Sequence, residues 1–350
     1  MPKRRDIAKD VQSRLSGMTL AHRREAIEAL QAVIDAELMN SASVGVEAAC
    51  CPCCGSISIC KNGHDAFGAQ RWRCNDCGKT FTASTGTILG STKLKPETWR
   101  RYVECFVDRL SLRECAQRCG VGLKTSFFMR HRIIECIFKS LPSFQVESGC
   151  SAELDETFFR ESFKGNHDRS AFKLPRPARH HGGKLHTRGV SNEQICVMTG
   201  INDFGDIFYE VAKRGPLSKD VAKNVLTDKI RSGAIISTDK AAGYRIVLPQ
   251  LGVAAHNAFD SKDRSQGVIN RINAVHSLLN GFMERFRGVS TRHLGAYLAW
   301  FKWTRSFDRK DGALVELATK QVAQGTYDTK WRDYKNAPYL FMDYWEKKTT

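Results

Sequence analysis

The sequence predicts a multidomain α+β chain, and three observations carry that prediction. Its 350 residues leave room for two or three folded units of ordinary size. The hydrophobic spacing is helical in residues 1–48 and 91–142, strand-like with one helix from 150 to 239, and helical again beyond. Between the two helical stretches, residues 49–90 carry two C-x-x-C-G motifs in a segment too short to build a core of its own. The expected order is a helical N-terminus, a cysteine-built module, a helix-turn-helix and a mixed-sheet α/β domain.

Composition narrows the class of partner. The formal charge is +17, and the surplus is uneven: residues 1–48 are balanced at seven basic and seven acidic side chains, whereas residues 160–190 carry eight against two. A basic surplus in segments rich in Gly, Pro and His suits a polyanion, with nucleic acid the first choice. No apolar run approaches about 18 residues, so no membrane span is expected. The start, "MPKRRDIAKD", is basic but lacks the apolar stretch of a secretory signal. Thirteen cysteines, mostly single and within helical patterns, read as reduced thiols of a cytoplasmic protein plus one cluster.

In residues 1–48, "AHRREAIEALQAVIDAEL" has helical periodicity, and a helical pair with a part in dimerisation is the expectation. The cluster comes next. Cys51 and Cys54 precede Gly55, and Cys74 and Cys77 precede Gly78, which is the spacing of a four-thiolate Zn²⁺ site built from two tight turns. The competing pair Cys50 and Cys53 lacks the following glycine. A redox C-x-x-C would need only one motif and a βαβ setting. A closed four-sulfur site leaves no position for substrate, so this zinc is structural. Between the pairs, "QRWRC" places Arg71 and Arg73 beside Trp72, either a strand lying on DNA or a hairpin with Trp72 in its core.

From Pro96 the period is helical, with Trp99, Tyr102, Val103 and Phe106 on one side. Ser111 and Glu114 have capping-box spacing, Gly120 ends a short helix, and a second begins near Lys124. Two short helices, a glycine turn and a basic second helix describe a DNA-reading helix-turn-helix or a plain helical hairpin. In the first case Lys124, Thr125, Arg130 and Arg132 reach phosphates or bases.

The α/β region offers carboxylates. "CSAELDETFF" reads as a strand bringing Asp155 to its end; a hairpin turns at Asn202–Gly205; a helix runs from about Ser218 to Arg231; and "GAIISTDKAAGY" is a buried strand ending in Asp239. Two aspartates ending neighbouring strands suit Mg²⁺, which takes hard oxygen ligands, and two such ions serve in-line phosphoryl transfer. Each alone is an ordinary turn former. Glu156 points to the opposite sheet face by the two-residue period and is the weaker candidate.

Here "ELDETFFRESFKG", "STDKAAGY" and "NAVHSLLNGFMERFRGVSTRHLGAYLAW" resemble insertion-sequence transposases. The group is the one that joins an N-terminal zinc ribbon and helix-turn-helix to an RNase-H-like DDE-type domain. The resemblance runs from about Cys51 to Trp303, with four motifs in the family's order. It implies a ribbon at 49–90, a helix-turn-helix at 91–142, a catalytic domain at 150–305 with a basic loop at 160–192, and a C-terminal extension at 306–350. It implies that Asp155 and Asp239 are catalytic and hold Mg²⁺ or Mn²⁺, and it puts the third position at His276, as in branches with His there.

On a helix from about Gln266 to Phe286, the apolar stripe is Ile272, Val275, Leu279, Met283 and Phe286. His276 lies at its edge. It is a metal ligand, a cation for the scissile phosphate, or a hydrogen-bonded core histidine. Glu284 is a candidate substitute carboxylate. Relatives often place a Lys shortly after the third position; here Asn280 stands in one such place, leaving Arg285 or Arg287. The basic loop, with Lys164, Arg176, Arg179, Lys184 and Arg188, is expected to hold DNA beside Asp155.

The activity implied is binding of an element's terminal repeats, metal-dependent end cleavage and strand transfer. The partners implied are double-stranded DNA and at least a second copy of the chain, in a bacterial, nucleoid-associated setting. A degenerate transposase that only binds DNA, and a nuclease or resolvase on the same fold, are the alternatives.

Overall fold

The computed structural model describes residues 4–43, 48–64, 70–166, 173–176, 189–260, 269–307 and 313–349. They form two compact units, each a mixture of helices with its own sheet.

The first unit takes residues up to Asp108, Leu112–Met129 and Val315–Tyr327. It opens on α1 (Arg4–Ser16) and α2 (Leu20–Ser43). Next comes a three-stranded antiparallel sheet, β1 (Ile59–His64), β2 (Gln70–Cys74) and β3 (Thr80–Thr82), in sequence order. Its core is small: Cys51, Cys74 and Phe81 are buried, with Trp72 and Ile59 partly so. Then come α3 (Pro96–Val107), α4 (Leu112–Arg118) and α5 (Leu123–Phe138), whose last turns from Arg130 belong to the second unit.

Proline at the first turn and Glu97 beside it start α3, which buries Trp99, Tyr102, Val103 and Phe106 and packs on α2. Gly120, at φ +63°, breaks α4 from α5 in a conformation that costs glycine nothing. The Ser126 hydroxyl donates to the Leu112 carbonyl at 2.9 Å, and the Tyr102 hydroxyl donates to the Ser126 carbonyl, which locks the three helices together.

The second unit is built on a five-stranded mixed sheet in the order β6-β5-β4-β7-β8. The strands are β4 (Ser151–Arg160), β5 (Gln194–Asn202), β6 (Ile207–Arg214), β7 (Ile235–Asp239) and β8 (Ala255–Phe259). The first three form an antiparallel meander; β7 and β8 run parallel to β4. The helices are α6 (Lys219–Leu226), α7 (Ala242–Gln250), α8 (Asn270–Glu284) and α9 (Leu294–Ser306). One face of the sheet closes on α6 and α7 over a core that includes Leu154, Ile236, Tyr244 and Leu248. The other carries α8 against β4 and β5 and α9 against β6. The chain then enters the first unit as α10 (Ala313–Gln324) and ends in the second as α11 (Trp331–Asn336) and α12 (Asp343–Thr349).

Two expected elements differ. The helix expected from Ser218 to Arg231 stops at Leu226, after which the chain bends so that Val146 N–H donates to the Lys229 carbonyl and Arg231 N–H to the Val146 carbonyl, a parallel bridge of Val146 with Ile230. Asp155 sits within β4, not at its end, because β4 pairs with β5 from Ala152 to Arg160.

Candidate functional site

Asp155 is nevertheless at an edge. The parallel register sets Ser151 against Ile235 and Glu153 against Ser237; carried two residues on, it brings Asp155 level with Asp239. β7 ends there while β4 continues, so the Asp239 carboxylate is reached from both faces of β4. Glu156, the weaker candidate from the two-residue period, therefore joins the group. Carboxylate oxygens of Asp155, Glu156 and Asp239 all lie within 4.8 Å of one another. The period correctly puts the two side chains on opposite faces, but it carries no information on where the neighbouring strand stops.

Such a group is strained electrostatically. Burial pushes the Asp155 carboxyl up to about 7, with the Asp239 charge adding to the effect. Burial likewise pushes Glu156 up to about 7. Wholly buried Tyr244 stands beside the Glu156 carboxyl, whose buried Oε1 has no hydrogen-bond partner at ordinary distance. Two acids near neutrality, a third carboxylate and an orphaned buried oxygen form a donor set that a hard divalent cation fits.

His276, on α8, reaches the group through Asp155. Its Nδ1 stands 3.6 Å from Asp155 Oδ2, and its Nε2 is 2.6 Å from the Thr199 hydroxyl on β5. That hydroxyl donates its one proton to the Asp155 carbonyl at 2.8 Å, so it accepts from His276. Nε2 therefore bears the ring proton and Nδ1 turns a lone pair toward Asp155. Burial pushes the imidazole down to about 4, so it is neutral near pH 7. Ile272, Val275, Leu279 and Met283 bury the other face of α8, as its stripe foretells. Glu284, Arg285 and Arg287 are exposed around the end of that helix.

The second donor set is the ribbon. Cys51 Sγ lies 3.6 Å from Cys77 Sγ and Cys54 Sγ 3.6 Å from Cys74 Sγ, with all four sulfurs within 4.8 Å of one another. Zinc–sulfur bonds of about 2.3 Å imply edges of about 3.8 Å in a tetrahedron, so a Zn²⁺ ion fits. Both motifs fold as the same knuckle. Cys51 N–H donates to the Ser56 carbonyl and Gly55 N–H to Cys51; Cys74 N–H donates to Lys79 and Gly78 N–H to Cys74. Gly55 and Gly78 take φ of +74° and +70°, which those turns require. Backbone N–H groups, that of Cys77 foremost, draw the Cys74 thiol down to about 7.

The expected DNA-binding side chains divide. Lys124 and Arg73 are exposed and Thr125 half-buried, while Arg71 donates to Thr80 Oγ1 at 3.1 Å across the ribbon sheet. Arg130 and Arg132 are buried instead. Arg130 donates to the Leu110 carbonyl and lies over the rings of Phe286 and Trp300, so it serves the core. A helix face that packs on both sides has no outward basic surface there, and helical spacing alone does not reveal the second contact.

Lys164 is also committed: its ammonium donates to the carbonyls of Phe286, Arg287 and Gly288 at 2.8, 3.2 and 2.7 Å, closing the end of α8. Arg176 pairs with buried Glu161 at 3.3 Å and covers Phe163. Glu161 also pairs with Arg214 and accepts from Trp345 Nε1 at 3.0 Å, which ties α12 to the sheet. Arg179, Lys184 and Arg188 lie outside the described residues.

No family model matches the chain. A protein of Halobacterium salinarum, described as an uncharacterized protein in transposable element ISH50, is 24% identical over 273 residues, 75% of this chain and 87% of that protein. Among solved structures, a pre-cleavage Mos1 transpososome matches 65% of this chain and 79% of its own at 13% identity and a TM-score of 0.28. The mariner Mos1 paired end complex with Mg matches 69% and 79% at 12% identity and a TM-score of 0.25. At scores this low, neither likeness bears on function. No helix among the described residues is long and apolar enough to cross a membrane.

Proposed function

We propose that the chain is a DNA transposase of the zinc-ribbon, helix-turn-helix and RNase-H-like DDE type. The carboxylate group set by the β4–β7 register carries the reading, because a chain of charge +17 has little other use for three clustered half-buried acids. The relative from a transposable element supports it. So does the sheet order, with β4 central between an antiparallel meander and two parallel strands, as an RNase-H-like domain needs.

Asp155, Asp239 and Glu156 would hold Mg²⁺ or Mn²⁺, with His276 a further ligand through Nδ1; imidazole favours Mn²⁺ over Mg²⁺. Bound there, divalent ions supply charge stabilisation for in-line phosphodiester chemistry, end hydrolysis first and transfer of the freed 3′-hydroxyl second. Asp155, near both Asp239 and His276, would hold the ion together with them, and Thr199 would hold the imidazole's tautomer. Cys51, Cys54, Cys74 and Cys77 hold a structural Zn²⁺. The ribbon and α3–α5 bind the terminal repeats of double-stranded DNA through Arg71, Arg73, Lys124 and Thr125, with Arg285, exposed at the end of α8, a further contact. A cytoplasmic, nucleoid-associated location accords with this reading.

The test incubates purified protein with labelled DNA carrying the element's ends, in Mg²⁺ and in Mn²⁺, beside Asp239→Ala and His276→Ala. Cleavage and joining lost in both variants is the expected result. End binding without cleavage in the wild type would replace the proposal with a DNA-binding regulator. Cleavage without joining would replace it with a nuclease or resolvase.

A further inference from the structure

One side of α2 is buried and another is apolar but exposed. Asp35 and Met39 are buried on the side that packs on α3. On the other, Leu20, Ile27, Leu30, Val33, Ile34 and Leu38 are 45–67% exposed. So long a stripe of large aliphatic side chains on one helix exceeds the scattered apolar residues of an ordinary surface and calls for a cover.

The charges in the stripe say which cover. Arg23 and Glu37 stand seven residues before and after Leu30, within about 20° of it around the helix, so both lie in the seam. Ile27 and Val33 stand three residues to either side. The pattern is self-complementary in one orientation only. If two copies of α2 run antiparallel and cross at Leu30, Leu30 meets Leu30, Ile27 meets Val33, and Arg23 meets Glu37 twice. A parallel pair would set Arg23 on Arg23 and Glu37 on Glu37. Arg23 is also held in place, donating from Nε to the Met18 carbonyl at 3.0 Å and from Nη2 to Ser16 at 2.8 Å. Polar residues placed once in an apolar seam fix register and orientation.

We infer that this face is a two-fold homodimer interface, with α2 antiparallel to α2 of a second copy. An isologous contact of this kind is self-complementary, as the spacing is. The inference deepens the transposase reading, since joining two DNA ends requires two copies, but it is measured without DNA or activity.

The full-length zinc-loaded protein is examined at micromolar concentration by light scattering and sedimentation equilibrium. The expected mass is that of two chains, halved by Leu30→Glu with unchanged circular dichroism. Glu37→Arg, which opposes two arginines at each end of the seam, should weaken the dimer at least roughly tenfold. A benzophenone side chain at position 27 should cross-link to the peptide containing Val33 of the other copy. A monomeric wild type, a dimer indifferent to Leu30→Glu, a 27-to-27 cross-link, or a cross-link within one chain would each overturn the inference. None of these would touch the metal site, whose failure is read from cleavage.

Discussion

The two candidate metal centres are built in opposite ways. The ribbon draws all four sulfurs from 27 consecutive residues, through two copies of one knuckle that share the same backbone bonds. The carboxylate centre gathers Asp155, Asp239, Glu156 and His276 from β4, β7 and α8, across 122 residues of the chain. The first is a local structure made stable by its ion. The second is a product of the fold, and its unbalanced acids lie in a rigid sheet that exists without the ion. One centre should therefore fail by unfolding and the other by losing chemistry while the fold stands.

The largest effect expected from that difference is at Asp155→Asn. It removes a ligand but also an uncompensated buried charge, so cleavage of labelled ends should fall by roughly a thousandfold or more, while melting temperature and binding to terminal repeats hold or rise. Loss of binding together with activity, in a folded protein, would remove Asp155 from the site.

Cys74→Ser should do the reverse. Structural zinc contributes about 10–16 kcal/mol of apparent binding energy in small domains, and among the described residues the ribbon's buried core is Cys51, Cys74 and Phe81. The expected outcome is loss of the ribbon's tertiary fold and of specific end binding, with Mn²⁺ still bound at the carboxylates. Equal damage to both ions would show that the units are not independent.

This contrast also explains what the sequence revealed. C-x-x-C-G repeats name their ligands and their turn because everything needed lies within a few residues. The apolar stripe of α8 and the alternation of β4 were visible for the same reason. What stayed hidden depends on a distant partner. Glu156 joins the site because β7 stops at Asp239; Arg130 leaves the DNA-binding set because Phe286 and Trp300 cover it; Lys164 leaves it because it closes the end of α8. Thr199 carried no signal, being one more strand threonine until β5 aligns it with His276.

A smaller effect separates the centres by pH. Asp155 and Glu156 both stand at about 7, raised from ordinary carboxylate values, so below pH 7 protons compete with the cation. Mn²⁺ affinity, followed by electron paramagnetic resonance of the free ion, should rise by at least roughly a hundredfold between pH 5 and 7 and level off above. The sign for the metal-free protein is opposite: a raised acid pKa makes stability fall as pH climbs from about 4 through 7, and added Mn²⁺ should restore it. A flat binding profile would mean that the carboxylates are already ionised and held by other partners.

The finest discrimination concerns Thr199. Its hydroxyl proton is spent on the Asp155 carbonyl, so its oxygen can only accept from His276 Nε2, and Nδ1 is left bare toward Asp155 Oδ2. Hydrogen-bond partners that orient a ligand from behind change metal affinity by about 10–100-fold. Thr199→Val keeps the shape and removes both hydrogen bonds; Mn²⁺ affinity should drop roughly tenfold, and nitrogen NMR should show His276 no longer fixed as the Nε2–H tautomer. Thr199→Ser keeps the hydroxyl and should restore both properties. A valine variant with native tautomer and native Mn²⁺ affinity would make His276 a core histidine that merely touches Asp155. The ion would then rest on Asp155, Glu156 and Asp239 alone, a centre read entirely from where two parallel strands part.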